Sequence, residues 1–313
     1  MIWEESFISK KAFLFQGVGS DIDKSIEVLN DDEKNHFYEL CSQASDFTKL
    51  DLKKYLLDRS SLYGLDRTFA EWIITGLCDC TVYDSMINHG IQPDYVAGYS
   101  LGLNNVCYCS GSITLEESIT ILKGVISSIY EASKSKEQYG MGVIIGLDYE
   151  TVNSLIVNNT QEGRLAVSSI NSETFIVVSG FLSEVKTMLQ KSAEEGAIKN
   201  ILLDVPCAFH SSLMKEYSEP YFSNLQSLKF KNINIPIVSV YSQKIITAAE
   251  DIYNEQKRNF LEPMKWKQTI KSLENAGVTE FWDMSTLAAV KKASRLNNPD
   301  SKFKTIKSLR VSK

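Results

Sequence analysis

The sequence predicts an α/β fold in two parts, a larger domain interrupted by a small βαββαβ subdomain. Three observations carry this. Short apolar runs at 12–16 and 95–97 break into glycine-containing turns, as buried strands do. Helical periodicity fills the segments around them, so strands and helices alternate. Residues 141–204 read in order as strand, helix, two strands, helix and strand, the split βαβ unit of ferredoxin type.

AFLFQ (12–16) is a buried strand closed by Gly17-Val18-Gly19-Ser20. Acidic and apolar residues interleave as helix from about 22 to 90, and Asn88-His89-Gly90 suits a C-cap. After Pro93, YVAGYS is a second buried strand breaking sharply into a helix, and 115–133 is helical. In the subdomain, strands are expected at 141–146, 164–169, 174–179 and 198–204, with helices at 148–158 and 182–195. The large domain then resumes with helix near 211–226, strand at 236–240, helix at 266–276 and strand at 278–283. From about 296 the chain is rich in Lys and Ser and is expected to fray.

Composition excludes several classes of function. The 313 residues are 43% apolar and 23% charged, as in ordinary globular proteins. A net charge of −6 provides no basic field for tracking nucleic acid. The N-terminus places acidic residues before a short apolar run, the reverse of a signal peptide, and no run is long enough to span a membrane. A cytoplasmic protein is therefore expected. Of the six cysteines, four form C-x-C pairs (78/80 and 107/109), which is not the spacing of a zinc ribbon or a redox motif. With three histidines in the chain, the cysteines are expected to be reduced and structural, and no metal is expected.

Gly98-Tyr99-Ser100-Leu101-Gly102 is a G-x-S-x-G between a strand and a helix, the context a nucleophile elbow requires. The glycines permit the tight turn, and the helix start points free N–H groups at the serine. The Leu101 amide is thus a ready oxyanion donor. A serine nucleophile needs a base titrating near neutrality, usually histidine. His36 lies in a charged helical stretch and His89 at a helix end. His210, in VPCAFHSSLM between a strand and a helix, is the expected base.

With these residues in place the chain resembles the malonyl-CoA:acyl-carrier-protein transacylases and polyketide-synthase acyltransferases. The resemblance is carried by Phe15 to Ser20 against F-P-G-Q-G-S, and by Gly98 to Gly102 against G-H-S-L-G. It continues through Met141 to Asp148, Asn171-Ser172, Val177 to Gly180, Ala208 to Ser211 with Leu213-Met214, and Pro263-Met264-Lys265-Trp266 against P-V-x-W with Gly277-Val278 beyond. The matches run in order from about 12 to 290. The resemblance implies an α/β-hydrolase-like catalytic domain (1–135 and 206–313) with a ferredoxin-like subdomain (136–205). It also implies ping-pong acyl transfer with Ser100 and His210 as the catalytic pair, an oxyanion hole from the Val18 and Leu101 amides, and the Lys265 carbonyl orienting His210. It implies further that no cofactor is bound, that acyl-CoA or a phosphopantetheine thioester is the substrate, and that an acyl carrier protein is the partner; a monomer is expected.

Three departures fall near the serine. Tyr99 replaces the family's His, and Leu103 replaces the Glu of G-H-S-L-G-E. Val125 stands 25 residues after Ser100, where malonyl-specific members carry an Arg. Lys123-Gly124 imitates the family's R-G pair only if two residues are deleted from a helix, which would rotate the remainder of that helix by about 200°. Tyr99, Leu103 and Val125 are accordingly expected to meet the substrate. An Arg would pair a malonyl carboxylate through two charge-assisted hydrogen bonds; against Val125 the carboxylate goes uncompensated. The expected substrates are non-carboxylated short acyl thioesters, transferred or hydrolysed, as in the stand-alone acyl hydrolases beside polyketide synthases whose acyltransferases act in trans. An ordinary malonyl transacylase of fatty-acid or polyketide synthesis is the alternative. A catalytically silent scaffold is a third reading, disfavoured by retention of both Ser100 and His210.

Overall fold

The computed structural model describes residues 9–294 and 302–311. The first eight residues, on which part of the leader argument rests, lie outside the described residues, as do 295–301 at the start of the tail. The larger domain begins with β1 (Lys10–Phe15), then α1 (Ile22–Val28), α2 (Asp31–Thr48), α3 (Leu52–Leu57) and α4 (Gly64–Asn88). Next come β2 (Tyr95–Gly98), α5 (Gly102–Cys109) and α6 (Leu115–Ser133). Capping boxes start α2 (Asn30 with Glu33) and α6 (Thr114 with Glu117), each satisfying otherwise orphaned backbone amides. The long α4 is buried along most of its second half, so its apolar character extends around the helix and it lies in the core.

The subdomain comes next as β3 (Tyr139–Ile145), α7 (Tyr149–Asn159), β4 (Leu165–Ser172), β5 (Phe175–Phe181), α8 (Leu182–Glu194) and β6 (Lys199–Leu203). Its four strands pair antiparallel in the order β4-β5-β3-β6, a ferredoxin-like sheet. Gly142 on β3 faces Val185 and Leu189 of α8, and this close approach seats the helix on the sheet. A further link crosses the cleft: Met264 N–H donates to the Ser168 carbonyl (2.9 Å), and Ile170 N–H to the Met264 carbonyl (3.1 Å).

The chain then returns through a 3₁₀ turn (Ser212–Tyr217), α9 (Glu219–Gln226), β7 (Ile237–Val238), β8 (Ile245–Ile246), α10 (Ala249–Asn259), α11 (Trp266–Asn275), β9 (Val278–Asp283) and α12 (Ala289–Ser294). The helix expected over 211–226 is thus divided. Pro220 sits in the first turn of α9, where its missing N–H costs nothing and its ring clashes with no preceding helical turn. The strand expected over 236–240 is shorter, and α10 has no counterpart in the sequence reading.

The tail is the main correction. Residues 302–305 form β10 (Lys302–Thr305), succeeded by α13 (Ile306–Val311). β10 pairs parallel with β9. Phe303 stacks on Phe281 with centroids 5.0 Å apart, Lys304 reaches Glu280 (3.0 Å), and Ile306 is buried. Lysines flanking Phe303 are what an edge strand carries on its solvated side, and they hide the strand in the composition.

The large sheet has the order β10-β9-β1-β2-β7-β8, parallel except for the β7–β8 pair. The architecture is a large α/β-hydrolase-like domain with a ferredoxin-like subdomain. From β1 the chain moves to β2 on one side, and β9 later returns on the other. Ligands bind beyond the carboxyl ends of strands at such a switch point. Here those ends lead into Gln16 to Val18 and into Ser100.

Candidate active site

Ser100 sits between β2 and α5 with φ at +56°. A non-glycine residue held in the left-handed region is strained, and such strain persists where surrounding structure dictates it. Two glycines dictate it here. A Cβ on Gly98 would collide with the backbone of Leu103, and one on Gly102 with the Phe15 carbonyl. Gly102→Ala is therefore expected to lower unfolding free energy by about 2 kcal/mol or more, measured by chemical denaturation against wild type.

His210 is 3% exposed and also has positive φ (+58°). Its Nε2 lies 2.9 Å from Ser100 Oγ, and its backbone N–H donates to the Phe260 carbonyl (3.1 Å). Burial pushes the imidazole down to about 4, offset only in part by the Asn259 carbonyl beside it. The ring is therefore neutral at pH 7 and able to accept a proton. Asn259 also donates from Nδ2 to the Ser100 carbonyl (3.2 Å) and accepts from the Tyr241 hydroxyl (2.7 Å). One residue at the end of α10 thereby holds the serine's backbone and faces the histidine.

This corrects the expectation for Lys265. Its carbonyl accepts from the Thr269 amide (3.0 Å) and hydroxyl (3.1 Å) at the start of α11, so it is occupied in helix capping. Asn259 supplies the carbonyl near His210 instead. No periodic helix is legible in the residues leading up to Asn259, and so nothing in the chain signals its role.

Val18 and Leu101 border the cavity next to Ser100. Among the described residues neither amide donates to a protein acceptor, so both are available. The loop carrying Val18 is tied at both ends by Gln16, where the family has Pro. Gln16 donates its N–H (3.1 Å) and Nε2 (2.7 Å) to the buried Asp79 carboxylate on α4, while Gln16 Oε1 accepts from the Ser20 hydroxyl. No motif announces this clamp.

Two clefts meet at the serine. One, of about 490 Å³, is lined by Val125, Ile121 and Leu122 of α6, Trp72 of α4, and Phe209 and Phe260. The other, of about 860 Å³, lies against the subdomain sheet at Met141, Val143 and Val177, and contains Tyr99. Among the described residues no Lys or Arg lines either cleft. Val125 borders the first cleft, and Lys123 is exposed and lines neither. The Tyr99 hydroxyl accepts from Asn171 Nδ2 (3.1 Å), and its ring meets Trp266 edge-on at 5.4 Å.

Leu103 is a second correction: it is 1% exposed, belongs to the hydrophobic core, and lines neither cleft. Residues three and four positions beyond the serine occupy different sides of α5, and the cleft receives Asn104 instead. His36 pairs with Asp84 (2.7 Å) on the surface, and His89 Nδ1 lies 2.7 Å from the Ser85 carbonyl at the end of α4. All six cysteines are free, and among the described residues no cluster of His, Cys, Asp or Glu could hold a metal. No described helix is long and apolar enough to cross a membrane.

The model of the acyl transferase domain matches residues 73–298. The chain belongs to that family. Membership makes it an acyltransferase by class. The malonyl CoA-acyl carrier protein transacylase of Bacillus subtilis (strain 168) is 28% identical over 201 residues, 64% of this chain and 63% of its own length. The acyl-carrier-protein S-malonyltransferase of Burkholderia pseudomallei 1710b superposes with a TM-score of 0.86 at 21% identity, covering 97% of this chain and 99% of that one. A type II polyketide-synthase acyl-carrier protein in complex with its malonyl-transacylase also aligns, with a TM-score of 0.83 at 21% identity over 95% and 96% of the two chains. These two structures share the acyltransferase fold with this chain. Of its departures from the family's motifs, Val125 and Tyr99 each line one of the two clefts at the serine, and among the described residues no Lys or Arg lines either.

Proposed function

We propose that this acyltransferase takes short, non-carboxylated acyl groups from carrier-protein or CoA thioesters onto Ser100, then passes them to a thiol or to water. The observation that carries the reading is Val125 in a serine-adjacent cleft that, among the described residues, no Lys or Arg lines. A malonyl carboxylate there would lose its hydration with no compensating cation, a cost of several kcal/mol. An acetyl or short alkyl tail gains by apolar contact instead.

In the proposed chemistry Ser100 Oγ attacks the thioester carbonyl carbon as its proton passes to His210 Nε2. The tetrahedral oxyanion lies against the Val18 and Leu101 amides. The C–S bond then breaks and the thiol leaves with the proton held by His210. An incoming thiol or water reverses the sequence. The larger cleft, apolar and open to solvent, suits a phosphopantetheine arm, and the solved carrier-protein complex of a structural neighbour supports an acyl carrier protein as partner. The domain limits proposed are 1–135 with 206–313, and 136–205.

The test is kcat/KM for acetyl and malonyl donors, with transfer and hydrolysis scored separately. Acetyl is expected to be preferred, and Val125→Arg is expected to raise malonyl loading while reducing acetyl. Efficient malonyl loading by wild type, undiminished in Lys123→Ala, would sink the reading. It would favour the second one, a malonyl transacylase, which the relatives' names support.

A further inference from the structure

Resting on that reading, we infer that the acyl cleft takes a hydroxyl-bearing substrate, with Asn104 selecting short acyl thioesters that carry a hydroxyl near the third or fourth carbon.

Asn104 is 2% exposed and borders the cleft that holds Ser100. Its Nδ2 donates to the Ser118 carbonyl (3.1 Å) and hydroxyl (2.8 Å) on α6. The opposite amide orientation would set oxygen against the Ser118 carbonyl, so these bonds fix which way the amide points. Oδ1 is then left buried with no hydrogen-bond partner. The other side-chain amides bordering the cleft are engaged. Asn259 uses both its polar atoms on Ser100 and Tyr241, and Gln256 Nε2 contacts Cys107 Sγ at 3.4 Å while its Oε1 faces the Tyr221 hydroxyl.

An unpaired buried acceptor is costly, and natural proteins rarely keep one without a use. Most of the cleft's lining is apolar, Ile121, Leu122 and Val125 included, which leaves few polar partners for a lone water. A substrate O–H supplies the missing donor while its carbon chain fills the apolar walls. Asn104 follows Ser100 by four residues, across the turn that leads into α5, and the two border the same cleft roughly one helical turn apart. That distance suits a hydroxyl a few carbons from the carbonyl attached to Ser100. Sites that hydrogen-bond a substrate hydroxyl discriminate strongly against analogues lacking it.

The test compares 3-hydroxybutyryl and butyryl thioesters of N-acetylcysteamine on the full chain, read as acyl-enzyme by intact mass and as released thiol. Wild type is expected to favour 3-hydroxybutyryl in kcat/KM by about tenfold or more. In Asn104→Leu that ratio is expected to fall toward unity, whatever happens to the absolute rates, which a purely packing role would not produce. Should Asn104→Leu fail to fold, Asn104→Ser carries the same comparison. Equal turnover of both thioesters by wild type, or a ratio unchanged in a folded variant, would overturn the assignment and leave short-chain acyl transfer standing. If neither thioester, nor acetyl, acylates Ser100, both readings fall together.

Discussion

Ser100→Ala is expected to abolish acyl-enzyme formation completely. The strained backbone at Ser100, fixed by Gly98 and Gly102, presents one hydroxyl to the junction of the two clefts. Alanine meets the same backbone penalty as serine, so the fold is changed little and the loss is chemical. Intact-mass analysis after incubation with an acetyl donor checks it. Wild type should gain one acyl group and the variant none. Acylation of the variant at another residue would refute the role of Ser100, and a wild type unreactive toward a serine-directed fluorophosphonate would point to the scaffold reading.

His210→Ala is expected to lower acylation about a hundredfold or more, the usual cost of losing a general base. The Nε2 contact to Ser100 has no substitute nearby, since the other two histidines lie on the surface of α2 and at the end of α4. His36→Ala and His89→Ala should be nearly silent; an equal loss in either folded variant would dismiss His210 as the base. The pH dependence arises from burial. With the imidazole depressed to about 4, the acylation rate should rise with pH through that value and be flat near neutrality. The same group makes a stability contribution. Its folded value lies below the unfolded 6.5, so the unfolded chain binds more protons between the two. That contribution is complete above about 6.5 and is lost as pH falls toward 4. Single-turnover acylation across this range checks the kinetic limb.

The parts legible in the sequence are those whose signals are local. Alternating apolar residues and glycines place the subdomain strands within a few residues of β3 to β6. The G-x-S-x-G defines the turn at Ser100 because its glycines are sterically required. The place of Val125 beside the first cleft follows from α5, the short turn at 110–114 and the unbroken start of α6. The hidden parts depend on packing between distant segments. Asp79 meets Gln16 only once α4 lies across the end of β1, and Trp72 reaches the acyl cleft from the same helix. Asn259 closes α10, a helix whose charged residues obscure its buried stripe of Ile252, Glu255 and Gln256. Leu103 is misplaced when a motif position is read without the rotation of the helix it begins.

In the family's loop, a proline restrains the backbone through a covalent ring that nothing in solution can undo. Here the restraint is a latch of hydrogen bonds from Gln16 to a carboxylate buried in α4. Opening it would leave the buried Asp79 carboxyl without these bonds, whereas a ring has no such alternative state. With it open, Ser100 and His210 would still touch, yet the loop bearing the Val18 amide would no longer be held against them. Under the proposed mechanism, the nucleophile and one of its two oxyanion donors would then be held by different means, the first by the strand-to-helix turn and the second by the Gln16–Asp79 bonds.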